Sequence, residues 1–136
     1  MRLLMIYCDR FGYETSMKTL DSVPDKKEKK VVDNSLVAFI HIEEKDVENA
    51  SYVETKLVKN IKWAARKNET ESIVLHSFTH LSENKASPED TDQIFAGAKA
   101  RLEKAGYTTH MTPFGYFLNL DIQSRGNPLT RLFKEV

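Results

Sequence analysis

Two hydrophobic rhythms alternate along the chain. The opening MRLLMIYC is almost continuously apolar and predicts a buried strand. Arg10 to Lys18 mixes polar and apolar residues and predicts a second, more exposed strand. SLVAFIHIE, Ser35 to Glu43, is β-rich and nearly all apolar, as a central strand buried on both faces would be. The charged stretch between them, PDKKEKK from Pro24 to Lys30, reads as a solvated loop. After a polar break at EKDVENAS the rhythm changes to helical spacing. From Ala50 to Lys67, Val53, Leu57, Ile61 and Ala64 or Ala65 recur on one face, with Trp63 beside the stripe and expected in the core.

The second half repeats the alternation. SIVLHSF, Ser72 to Phe78, predicts a strand. Ser87-Pro88-Glu89-Asp90 then announces a helix: a serine N-cap, proline at the first helical position, and carboxylates in the electropositive first turn. Ile94, Phe95, Ala98, Leu102 and Ala105 are expected inward, and Gly106 ends the helix. Tyr107 to Met111 leads to Pro-Phe-Gly, Tyr116 to Ile122 predicts another strand, and Arg-Gly-Asn-Pro a turn. Leu129, Leu132 and Phe133 give the tail apolar groups with which to dock. The order, β-(β)-β-α-β-α-β-β without repeat or linker, predicts a single-domain α/β sandwich of sheet and helices over residues 1–136.

Composition narrows the class. With 40% hydrophobic and 29% charged residues the chain is of the soluble globular kind. No apolar run reaches the roughly 18 residues of a membrane span. The first apolar segment is too short for a secretory signal, and a single cysteine, Cys8, fits a reducing, cytoplasmic setting. Cys8 is expected to be a small buried hydrophobe. Twenty basic residues balance twenty acidic ones, and zero net charge argues against a domain that grips duplex nucleic acid by its backbone. It leaves room for a small pocket holding one nucleotide or an RNA end.

Candidate chemistry is sparse. The histidines His41, His76, His80 and His110 form no metal motif, and neither a serine-hydrolase elbow nor a phosphate-cradling glycine loop is present. His76, Phe78 and His80 would share one face of a strand. Two junctions remain. One is FTHLSENKASPED, where a strand ends in Thr79-His80 and a polar loop leads to the capped helix. The other is MTPFGYFLNLD, where Pro113 and Gly115 bracket a sharp entry into a strand. Pockets open at the C-terminal ends of strands in α/β sheets. Gly115 suits close approach of a backbone or ligand, or a plain turn. Chemistry alone leaves His80 either a polar group at a strand end or a working residue.

Four stretches carry a further signal: MRLLMIYCDRFGYE, LVAFIHIE, FTHLSENKASPED and GYTTHMTPFGYFLNLDIQSRGNPLTRL. They cover nearly the whole chain, and H-L-S, then P-F-G-Y, then G-x-P-L at this spacing is specific as a set. On these residues the chain resembles the N-terminal editing domain of archaeal threonyl-tRNA synthetases, whose fold is like that of D-aminoacyl-tRNA deacylases. The resemblance implies an aminoacyl-tRNA hydrolase that removes mischarged serine from threonine tRNA and spares threonine. It makes His80 the wall of a serine pocket and the side chain nearest the chemistry. The main chain at Ile42 and Thr79 would hold the seryl group. Gly115, Tyr116, Phe117 and Leu118 would line the substrate site, with Phe117 beside the adenosine.

Two departures from the family pattern stand out. The family has P-F-G-Y-Y-K, whereas Phe117 is followed here by Leu118; the family's G-H-P-L-x-E ends here in Arg131. The lysine and glutamate are missing, and Arg131 becomes a candidate RNA contact. The resemblance then assigns catalysis to the 2′-hydroxyl of the terminal adenosine and backbone amides acting on a water, without metal or cofactor. It implies as partners the 3′ end of threonine tRNA, the synthetase's catalytic and anticodon-binding domains in cis or in trans, and a second copy in a homodimer. It also implies that the chain is a domain excised from a longer synthetase. A non-catalytic tRNA-end binding module and a D-aminoacyl-tRNA deacylase remain as alternatives.

Overall fold

A computed structural model describes all residues, 1–136. Its elements are β1 (Arg2–Lys18), β2 (Lys29–His41), a 3-10 turn (Glu44–Asn49), α1 (Ala50–Lys67), β3 (Ser72–Ser77), α2 (Pro88–Lys104), β4 (Thr108–Met111), β5 (Tyr116–Gln123) and β6 (Arg131–Glu135). α2 begins and ends where the sequence punctuates it. Ser87 Oγ accepts from the Asp90 N–H at the start of α2. Gly106, at φ 97°, follows its end in the left-handed region that glycine enters freely.

The six strands form one sheet in the order β4-β3-β2-β1-β5, with β6 also paired to β1. β2, β3 and β4 are parallel, linked by crossovers through α1 and α2; every pairing of β1 is antiparallel. Both helices pack on one face, where Leu3, Met5, Leu36, Ala38 and Ile40 meet Leu57, Ile61, Phe95 and Leu102 in a cluster of 20 buried residues. Every residue from Ser35 to Glu43 is buried, so the central-strand reading holds.

Four expectations need correction. The two opening strands are one strand of 17 residues. The inward alternation slips between Cys8 and Phe11, both in the second core cluster, opposite Asn34 at φ 50°. This slip is what mixes the hydrophobic pattern after Asp9. Trp63 is 38% exposed and lies under the Lys67 ammonium on the outer face of α1, one position off the buried stripe. Ala105 is exposed, because it caps α2 and no longer follows the helical turn. The tail docks as a strand: β6 pairs with Arg2–Ile6, with Leu132 against the main cluster and Leu129 and Phe133 exposed.

Candidate functional site

Strand ends and loops of the sheet enclose a cleft of about 640 Å³. β3 and the residues after it supply His76 through His80, and Lys85 and Ala86 close the following loop. Pro88 and Thr91 come from the first turn of α2, Thr112 through Leu118 from the junction into β5, and Lys18 through Leu20 from the end of β1. The two junctions singled out in the sequence therefore meet across one space. No aspartate or glutamate lines it.

The floor is aromatic. His76 lies among Phe11, Phe39 and Phe78, with ring centres 6.2, 5.2 and 6.0 Å away, and its Nδ1 is 2.9 Å from Thr112 Oγ1. Burial first, and the neighbouring His80 second, pull its pKa down to about 4. At neutral pH it is uncharged. His80 is exposed at the mouth, its ring edge-on to Phe78 at 4.8 Å. The expected shared face of His76, Phe78 and His80 is present as a continuous row of rings.

The loop from Thr79 to Ala86 is held by the end of β2. His41 accepts the Leu81 N–H on Nδ1 (3.0 Å), which fixes the proton on Nε2, and Nε2 donates to the Asn84 carbonyl (2.7 Å). Ser82 Oγ donates to Glu43, the Glu44 N–H to Asn84 Oδ1, and Arg2 to the Leu81 carbonyl. The Ala86 N–H donates to the Ile42 carbonyl at 3.0 Å. The amides of Thr79 and His80, by contrast, donate to no acceptor in the protein.

The opposite wall is built on Gly115. Its φ of 83° suits glycine, and a Cβ there would lie 2.7 Å from Val23 Cγ1. The close approach that the sequence allowed for is thus made by the β1–β2 loop. Thr19 N–H donates to the Gly115 carbonyl, and the Tyr116 hydroxyl donates to the Pro24 carbonyl. Phe117, 49% exposed, presents an open ring to the cleft, while Leu118 packs on the second core cluster.

Of the residues proposed from sequence, Thr79, His80, Gly115, Tyr116, Phe117 and Leu118 line the cleft. Ile42 does not; it is buried and acts through its carbonyl on Ala86. Arg131 lies on β6 opposite Ile6 and donates to the Ser124 carbonyl, away from the cleft. Sequence reasoning missed Lys18, Thr112 and Lys85. Thr112 and Lys85 both fall inside the two junction stretches, whereas nothing in the sequence pointed to Lys18. Cys8 is fully buried and its thiol pKa is pushed up to about 11, chiefly by burial, so it is no nucleophile. No three potential ligand side chains gather to hold a metal ion, and no helix is long and apolar enough to cross a membrane.

The family model described as the archaea-specific editing domain of threonyl-tRNA synthetase matches residues 1–136. The chain belongs to that family. Editing domains of this kind hydrolyse aminoacyl-tRNA. The threonine–tRNA ligase of Methanosphaera stadtmanae is 33% identical over 138 residues, covering 100% of this chain and 22% of its own length. That of Pyrococcus horikoshii is 31% identical over 139 residues, with the same two shares. The editing domain therefore spans about a fifth of the relatives it matches. A solved c-Myc DNA unwinding element binding protein shares the fold, with a TM-score of 0.69 and 12% identity, covering 100% of this chain and 99% of that one. The architecture is the expected D-aminoacyl-tRNA deacylase-like one.

Proposed function

We propose that this editing domain hydrolyses the ester of L-seryl-tRNA(Thr) and spares threonyl-tRNA(Thr), with the terminal adenosine in the cleft. The observation that carries the reading is the pairing of two unpartnered amides, Thr79 and His80, with a cleft that contains no carboxylate. Such a site has no acidic general base. It can bind an acyl group, and it offers N–H donors for the oxyanion formed when water adds to the ester carbonyl. One such donor is worth about 10²–10³ in rate. The adenosine 2′-hydroxyl beside the ester orients the water, the ester C–O bond breaks, and the 3′-oxygen leaves with a proton. Phe117 stacks on the base, and His80 walls off the space that a threonine methyl would need. A methyl is worth only about 1–3 kcal/mol in an apolar pocket, so a second, size-excluding site raises fidelity where one binding step cannot.

The same reading takes the domain as part of a longer synthetase, with the tRNA 3′ end as its RNA partner. Homodimerisation through the face bearing Ile6 and the exposed Phe133 is part of it; sedimentation at micromolar concentration tests that. Leu118 where the family has lysine, in a cleft without carboxylates, equally suits a binding module without catalysis.

Deacylation of serine-charged against threonine-charged tRNA(Thr) decides. Rapid loss of serine with threonine intact supports the hydrolase. Loss at the spontaneous rate, with an aminoacyl-adenosine analogue still bound, leaves the binding module. Preferential loss of a D-aminoacyl ester points to the sister deacylase activity.

A further inference from the structure

The balanced charge of the molecule hides an uneven distribution. α1 carries Lys56, Lys59, Lys62, Arg66 and Lys67 against one carboxylate, Glu54, and Glu54 pairs with Arg101 of α2. None of the five cations makes an ion pair. α2, one residue shorter, holds four carboxylates against three cations, and both Lys99 and Arg101 are paired. With Val53, Leu57, Ile61, Ala64 and Ala65 turned into the core, the cations of α1 occupy its outer side. Two aromatic rings stand among them. Tyr52 is 57% exposed, and the Lys56 and Lys67 ammonium groups lie 5.5 and 5.8 Å from the Tyr52 and Trp63 ring centres.

Helix-dipole stabilisation explains Arg66 and Lys67, which fall in the last turn. It does not explain Lys56, Lys59 and Lys62, whose like charges three residues apart weaken an isolated helix. An unneutralised strip of this kind suits a polyanion. From Lys56 to Lys67 it extends about 16 Å along the helix axis. Its three-residue steps, about 4.5 Å each, are of the order of the phosphate spacing in a nucleic-acid strand.

We infer that the outer face of α1 is a second contact surface of the editing domain, binding the sugar-phosphate backbone of folded tRNA outside the cleft. The inference rests on reading the cleft as the holder of the tRNA 3′ end. It also revises what zero net charge implied, because binding responds to local potential and not to the sum. The helices run in the same direction, because α1 crosses between the parallel strands β2 and β3 and α2 between the parallel strands β3 and β4, and their first turns share a depression. The first turn of α2 lines the cleft, so the strip leads away from it. An RNA reaching the cleft with its last nucleotides alone gains nothing from such a strip; a folded tRNA gains a second hold.

The test compares this 136-residue domain with the variant Lys59→Gln/Lys62→Gln/Arg66→Gln. A control, Lys26→Gln/Lys27→Gln/Lys30→Gln, removes equal charge from the β1–β2 region. Five of the six positions are exposed and Lys62 is half-buried, so circular dichroism verifies that each protein is folded. Binding of uncharged tRNA(Thr) by fluorescence titration is expected to weaken at least tenfold in the α1 variant and less than twofold in the control. The slope of log affinity against log salt should become shallower by about 2 to 3 for three lost phosphate contacts. Hydrolysis of a short seryl-oligonucleotide ending in CCA should be unchanged. Equal tRNA binding by wild type and α1 variant overturns the inference, as does an equal loss in the control. Failure of the wild type to hydrolyse the short substrate instead overturns the reading of the cleft, whatever the tRNA titration shows.

Discussion

The two faces of the sheet are made of different material. Against the helices, 20 buried residues form the core, and only Phe95 among them is aromatic. On the other face the buried cluster has seven members, three of them Phe11, Tyr13 and Phe39, and it continues through His76 and Phe78 into the cleft. Branched aliphatic side chains interdigitate and leave no space, which suits a face whose task is to hold two helices. Flat rings meeting edge to face leave a wall that a base or acyl group can lie against. On the proposed reading, the aliphatic face chiefly holds the fold and the aromatic face forms the floor of the cleft.

Substitutions on the two faces should separate these roles. Leu57→Ala, in the aliphatic core, should lower unfolding free energy by about 2–5 kcal/mol in urea titration. The KM for seryl-tRNA(Thr) should stay unchanged wherever the protein is folded; a shifted KM would mean that the faces are not independent. Gly115→Ala comes next. Left-handed strain alone costs about 1–3 kcal/mol, and the new Cβ also meets Val23. Adding Val23→Ala should restore part of the stability, and a double mutant no better than the single would show that strain, not contact, dominates.

His76 gives the aromatic face a pH signature. Its folded pKa, about 4, lies below the ordinary value of 6.5, so the unfolded chain takes up a proton first as pH falls. Stability is fully present above pH 6.5 and is lost progressively toward pH 4. At pH 5 the loss is about 2 kcal/mol. His76→Gln, which can keep a hydrogen bond to Thr112, should flatten that part of the urea-midpoint profile between pH 7.5 and 5. The smallest effect on stability, within about 0.5 kcal/mol, is expected for the exposed Phe117→Ala. Its KM for the seryl ester should nevertheless rise severalfold, and an unchanged KM would remove Phe117 from the site.

What the sequence made legible was local. Ser87-Pro88 and Gly106 mark α2 because capping and left-handed backbone are properties of single residues, and the stripe of α1 predicted its span, Ala50–Lys67. Thr79-His80 and the Gly115–Leu118 segment could be placed in one site in advance because the family resemblance carries both. Lys18, Thr19 and Leu20 could not be, since they reach the cleft only through the antiparallel pairing of β1 with β5. The sequence shows β6 only as a docking tail, because five residues of mixed character carry no strand rhythm until Arg2–Ile6 is their neighbour. The staple of His41 was equally invisible, since one histidine at a strand end does not announce which loop it will hold.

The division of one edge of β1 between β5 and β6 bears on how the chain comes off the ribosome. β2 can cover its side of β1 soon after synthesis, but the other edge stays open until residues 116–135 emerge. At roughly 5–20 residues per second that is an interval of about 5–20 s. Throughout it a 17-residue strand exposes unpaired amides and carbonyls to any other extended chain nearby. Arg2 at its head and Asp9, Arg10, Glu14 and Lys18 in its second half are charged from the moment the strand is made, and they are the kind of side chain that keeps a waiting edge from recruiting a stranger.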